Sequence, residues 1–256
     1  MSTESIRKQI YSRIEAGLSA ARDIRFEPGI DTSVAGCTLV ALWGIYYFQS
    51  VSDSVESILL FLLIGNLALT ILFPLYYVCI VRGEPLSNVG ITKTGWKRAL
   101  VVSSITALIL APGLLFVDVS TAALVPHIIT VGLMLWEPFF IHGFLQIRFE
   151  RAFGPTPGII LASAAFVLFH VGAVDPIGLM FLGFFGLLHA VLFCVFYRNL
   201  LVLWPILWAV GSAQGTVDSI VFGWEELSAY VVILLIAVAA IYTTAKSGTS
   251  NDNGSI

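Results

Sequence analysis

Glu137 and His170 are the residues of this chain whose types and positions ask for chemistry. Glu137 lies in the apolar stretch from Trp136 to Gly143, ahead of His142, and is the only acidic residue deep inside any apolar run. A charge at the centre of a bilayer costs about 2.5–3.5 kcal/mol or more, so a carboxylate kept there is expected to have a function. All four histidines (His127, His142, His170 and His189) also fall in apolar runs. Counted at ~1.5 Å per residue from the basic ends of the runs, Glu137 is ~16 Å deep, His170 and Ser212 ~18 Å and His189 ~14 Å. In a hydrocarbon core of ~30 Å these four groups share one layer. His142 is shallower and His127 is expected at the opposite interface. A Glu–His pair around a trapped water is a general-base arrangement. The same pair can contribute to a metal site or relay protons, and spacing alone leaves these open.

The elements that must position these groups are membrane spans. The 256 residues are 58% hydrophobic and only 11% charged, with a mean hydropathy of +0.93, whereas soluble domains run at about 25% charged. The expected fold is all-α: a polytopic transmembrane bundle of eight helices with a short amphipathic N-terminal helix. Apolar runs lie at 33–50, 55–81, 99–117, 123–147, 158–173, 177–197, 200–216 and 227–244, each near the roughly 20 residues a span needs. Residues 1–32 form a basic N-terminal segment, 33–246 a single membrane domain and 247–256 a polar tail expected to be disordered. No signal peptide is read at the start.

The charges support eight spans. All 13 Lys and Arg fall in the N-terminal segment, in 82–98, at Arg148 and Arg151, at Arg198 or at Lys246. With eight spans these lie on one side, and the opposite loops hold only acidic residues. The positive-inside rule then predicts an integral protein of the cell membrane with both termini cytosolic. Cys37, Cys79 and Cys194 have no paired spacing and read as free packing residues. No nucleotide-binding glycine loop is present, and no nucleic-acid partner is expected.

Over about residues 83–217 the chain resembles the CPBP, or Abi, family of intramembrane proteases, which includes CAAX-type prenyl-protein endopeptidases. Gly83-Glu84-Pro85-Leu86-Ser87-Asn88-Val89-Gly90-Ile91 is similar to the family's lead-in. Its first motif, EExxxR followed by Gly, reads here Glu137-Pro138-Phe139-Phe140-Ile141-His142-Gly143 and runs into a typical FLQxRxERxFG. Its FxxxH motif is Phe166-Val167-Leu168-Phe169-His170. The last motif, HxxxN or HxxxD, falls on Trp208 to Ser212. The resemblance implies that Glu137 and His170 activate a water against a peptide bond, with His142 orienting Glu137 or the substrate. It implies Trp208, Ser212 or Gln214 as oxyanion or substrate donors, with Phe166 and His189 alongside. The implied substrate is a peptide or prenylated protein within the lipid bilayer. No cofactor is implied, although a divalent metal such as zinc remains open. Four motif positions depart from the pattern: Pro138 for the second glutamate, His142 for the arginine, Trp208 for the second histidine and Ser212 for Asn or Asp. These losses weaken a closed metal set most.

Simpler readings stand beside these. His189 follows Gly183 and Gly186, a small-residue stripe suited to helix packing. His142, five residues after Glu137, is off its face on a regular helix, but Pro138 should kink the segment. Asn66, Pro74 and Trp43 read as packing features. A catalytically degenerate binding or immunity scaffold, and a proton-coupled carrier, are the alternatives to a peptidase.

Overall fold

The computed structural model describes residues 22–52, 54–116 and 118–216, together with Trp224, Ser228, Val232 and Leu235. The described residues are all-helical. We number the helices α1 (Ile30–Ser50), α2 (Val55–Val81), α3 (Trp96–Phe116), α4 (Thr121–Leu133), α5 (136–153), α6 (Pro155–Leu168), α7 (Pro176–Val195) and α8 (Ile206–Thr216). Among the described residues, four stretches are long and apolar enough to cross a membrane: Val55–Val81, Trp96–Phe116, Thr121–Phe153 and Pro176–Val195. The chain is therefore a membrane protein on composition and helix length. The expected amphipathic helix falls mostly on residues outside the described set, as do the run at 227–244 and the tail.

Two expected spans are shorter than read. The run at 158–173 stops being helical at Leu168, where the chain turns through His170 and Val171. The run at 200–216 becomes a single short turn followed by the 11 residues of α8. Asn199 caps that short turn through the Leu201 amide at 3.0 Å, and Pro205 follows it, so no continuous helix can form there.

The run read as 123–147 is two helices. The chain leaves helical geometry at Met134, with ψ 91°, and resumes at Trp136. The break thus comes one turn before Pro138 rather than at it. A proline cannot donate to the carbonyl four residues back, but in a helix's first turn that donor is orphaned anyway. Stopping at Met134 and restarting at Trp136 lets Pro138 sit where it costs least. Phe139–Gln146 then winds with wider i→i+5 bonding, a geometry frequent at functional sites.

Helix α5 is the axle of the bundle. Every residue from Trp136 through Glu150 is buried, whereas α3 and α7 expose Leu108, Ile109, Met180 and Phe181, as lipid-facing helices do. Helix α6 packs along both α5 and α7, and α8 packs on α3 and α4. Gly90 and Asn199 join the lead-in loop to the start of the last segment: Leu200 N donates to Gly90 O at 2.9 Å and Asn199 Nδ2 to Thr92 O at 2.9 Å. Asp175 caps α7 by accepting from Gly178 N at 2.8 Å, with Pro176 behind it. Cys37, Cys79 and Cys194 are free thiols.

Gly158 brings α6 close against α5. A Cβ there would lie 2.7 Å from the backbone of Glu150. Gly158→Val is therefore expected to lower stability by about 1–3 kcal/mol. Gly44→Ala, whose Cβ meets nothing within 4 Å, should not. Thermal unfolding of the two variants in detergent checks this.

Candidate functional site

The break between α4 and α5 sets Glu137 in the first turn of α5. The end of α6 sets His170 in the turn that follows it. The two side chains meet: His170 Nε2 lies 3.6 Å from Glu137 Oε1, with side-chain exposures of 11% and 12%. Neither points away from the protein. His170 Nδ1 is 2.8 Å from Phe166 O. Against a carbonyl that nitrogen must carry the proton, so a neutral His170 presents its bare Nε2 to Glu137. Glu137 Oε1 has no hydrogen-bond partner. Helix α1 closes this site. Trp43 Nε1 donates to Val171 O at 3.1 Å, and the Tyr46 ring stands edge-on to His170 at 5.5 Å.

A second polar group lies further along α5. His142 and His189 face each other edge to face at 6.0 Å, and His189 lies 5.7 Å from the Trp208 ring. All three are buried. His142 Nε2, both ring nitrogens of His189 and Trp208 Nε1 have no hydrogen-bond partner. Buried polar atoms are normally satisfied, and each exception calls for an explanation. Phe166 joins the two groups. Its ring is 5.2 Å from His170 and 6.4 Å from Trp208.

Of the expected residues, the fold brings together Glu137, His170 and Phe166, and beside them His142, His189 and Trp208. His142 does not share the Glu137 face. Its Nδ1 lies 2.8 Å from Gln146 Oε1 instead. Ser212 lies half-buried one turn past Trp208. Gln214 Nε2 donates to Leu110 O, which ties α8 to α3. His127 is fully buried. Helix α4 meets α8 there, so the imidazole is enclosed by protein.

The sequence reading missed a buried polar chain that begins at His142. Gln146 Nε2 donates to Glu150 Oε1 at 2.8 Å and to Ala190 O at 2.9 Å, and Arg198 Nε reaches Glu150 Oε2. The signal was present in the spacing of His142, Gln146 and Glu150, each four residues apart on one helix face. Arg198 lies outside the spans and its pKa is raised. Burial acts against its charge, but the Glu150 carboxylate more than offsets it. Among the described residues, no three His, Cys, Asp or Glu side chains converge on a point that could hold a metal ion.

Comparison with family models, with curated proteins and with solved structures returns no match for this chain.

Arg198→Ala would leave Glu150, only 4% exposed, without its cation. The expected loss is about 1–3 kcal/mol. Glu150→Gln in the same chain should recover part of it, so the double variant should unfold above the temperature predicted from the sum of the single changes.

Proposed function

We propose that the chain is an intramembrane peptidase of the CPBP type, in which Glu137 and His170 activate a water against a peptide bond of a membrane-embedded or lipidated substrate. The observation that carries this reading is the 3.6 Å approach of His170 Nε2 to Glu137 Oε1. When Glu137 is ionised, its carboxylate and the bare imidazole nitrogen are two acceptors facing the same space. A water molecule between them satisfies both, donating one proton to each. Its oxygen lone pairs then point away from the pair, toward a substrate carbonyl. As the O–C bond forms, Glu137 takes the proton as general base. It can hand that proton to the leaving amine as the C–N bond breaks.

Charge developing on the carbonyl oxygen needs a donor. Trp208 Nε1 is buried with no acceptor of its own and lies one ring beyond Phe166, so it is the donor this reading assigns. His189 Nε2 or Nδ1 is the alternative, depending on which nitrogen carries the proton. His142 then acts through Gln146, not on Glu137. In this reading the chain has eight spans, with the eighth at 227–244, and both termini are cytosolic.

A binding scaffold that has lost catalysis is the second reading. It is favoured by the missing second glutamate and second histidine of the motifs, where Pro138 and Trp208 stand.

Proteolysis in reconstituted vesicles separates the two. Glu137→Gln and His170→Ala are each expected to lower kcat by about 10²–10⁴-fold. Trp208→Phe, which keeps the ring and removes the N–H, should lower it by about 10²–10³-fold. If wild type and Glu137→Gln cleave every lipidated or membrane peptide alike, the peptidase reading fails.

A further inference from the structure

Away from the Glu137–His170 pair, the start of α1 and the ends of α2 and α5 enclose a second polar site. It is a cavity of about 280 Å³ lined by Gly29, Asp31, Thr32, Arg82, Arg148 and Arg151. Three guanidinium groups meet there the first turn of a 21-residue helix. The N-cap of that helix, Gly29, has no side chain to cover its amides, and the first four N–H groups of a helix have no partner within it.

The neighbouring carboxylates are already engaged. Asp31 Oδ1 receives the Tyr77 hydroxyl at 2.5 Å and lies 3.2 Å from Arg82 Nε. Glu84 receives Arg151 Nη1 at 2.9 Å and Asn88 Nδ2 at 3.1 Å. Glu27 is the remaining acid of the lining, and it is exposed.

Arg148 is the exception. Its side chain is 0% exposed, and Nη2 comes only to 3.5 Å of Glu84 Oε2. Nη1 donates to Asn88 O at 2.6 Å, while Nε and Nη2 have no hydrogen-bond partner. Idle donors on a buried cation are costly. A guanidinium edge is a planar fork whose fitting complement is a carboxylate or phosphate. The uncapped helix start adds N–H groups and positive potential suited to the same anion. The surroundings are apolar and open: Phe26, Ile30 and Val81, adjacent in sequence to lining residues or among them, are 81%, 74% and 54% exposed.

We infer that this cavity binds a phosphate group, carried by a phospholipid headgroup or free in solution. The guanidinium groups of Arg82, Arg148 and Arg151 and the α1 amides take its oxygens, and acyl chains of a lipid ligand lie over Phe26, Ile30 and Val81.

The test uses the full chain in neutral detergent at low salt. Thermal unfolding is titrated with phosphatidylglycerol, with a diacylglycerol of the same chains and with inorganic phosphate. Phosphatidylglycerol should raise Tm where diacylglycerol does not. Stabilisation by inorganic phosphate alone identifies the free anion as sufficient, and stabilisation by the lipid alone identifies the headgroup. Arg148→Gln should weaken the effective ligand by about tenfold. Arg148 also stacks over the Phe144 ring at 4.9 Å, so a second variant separates binding from packing. Gly29→Phe keeps Arg148 and projects a ring from a position with open space around its Cβ and an ordinary φ of -129°. It too should weaken binding about tenfold. Equal stabilisation by diacylglycerol and phosphatidylglycerol overturns the assignment, as does undiminished binding by Gly29→Phe.

Discussion

The contact between Glu150 and Arg198 is the joint on which the remaining geometry depends. Glu150 is buried where three elements converge. Its own helix α5 carries it, the backbone of α6 presses against it at Gly158, and the turn after α7 brings Arg198 onto it. Tyr197 and Arg198 both have positive φ, 61° and 49°, an unusual geometry for residues with side chains. That turn is held by the contacts it makes, since Leu200 N bonds Gly90 O directly after it. An ionised carboxylate in this place would be costly alone. With Arg198 and the Gln146 amide on its oxygens, it locks the register of α5 against its neighbours. Glu137 and His142 lie on the same rod, so their heights follow from that register.

The polar groups along the rod divide by what they face. Glu137 meets His170 near the break, where α1 covers the site with Trp43 and Tyr46. His142 looks the other way, toward His189 and the Gln146–Glu150 chain. Phe166 stands between the two groups and touches the rings on both sides. A proton on His142 or His189 and a proton on Glu137 are therefore separate matters. The proposed chemistry needs only the first pair and a donor from the second group.

Much of this was legible in the sequence, and the reasons differ by residue. Glu137 and His170 declared themselves because ionisable groups in apolar runs are costly, and depth counting alone put them in one layer. Their pairing then follows from two helices ending or starting at that depth. The number of spans was less legible. Apolar composition does not say where a run stops being helical, and Asn199, Pro205 and the turn at His170 cut two runs short. The break at Met134 was displaced from Pro138 because a proline settles into a first turn when the chain can restart ahead of it. Gln146, Glu150 and Arg198 were missed for a different reason. At the end of an apolar run, charged residues look solvated, and only the packing of Gly158 and the return of Arg198 enclose them.

The interruption between α4 and α5 has an electrostatic consequence. Peptide dipoles along a helix sum to roughly half a positive charge at its beginning. Restarting the helix at Trp136 places that pole inside the bundle, with Glu137 in its opening turn. The start of the second helix thus offers the carboxylate a diffuse counter-charge made of backbone alone. That positive potential comes from the backbone and does not depend on which side chain stands at position 142.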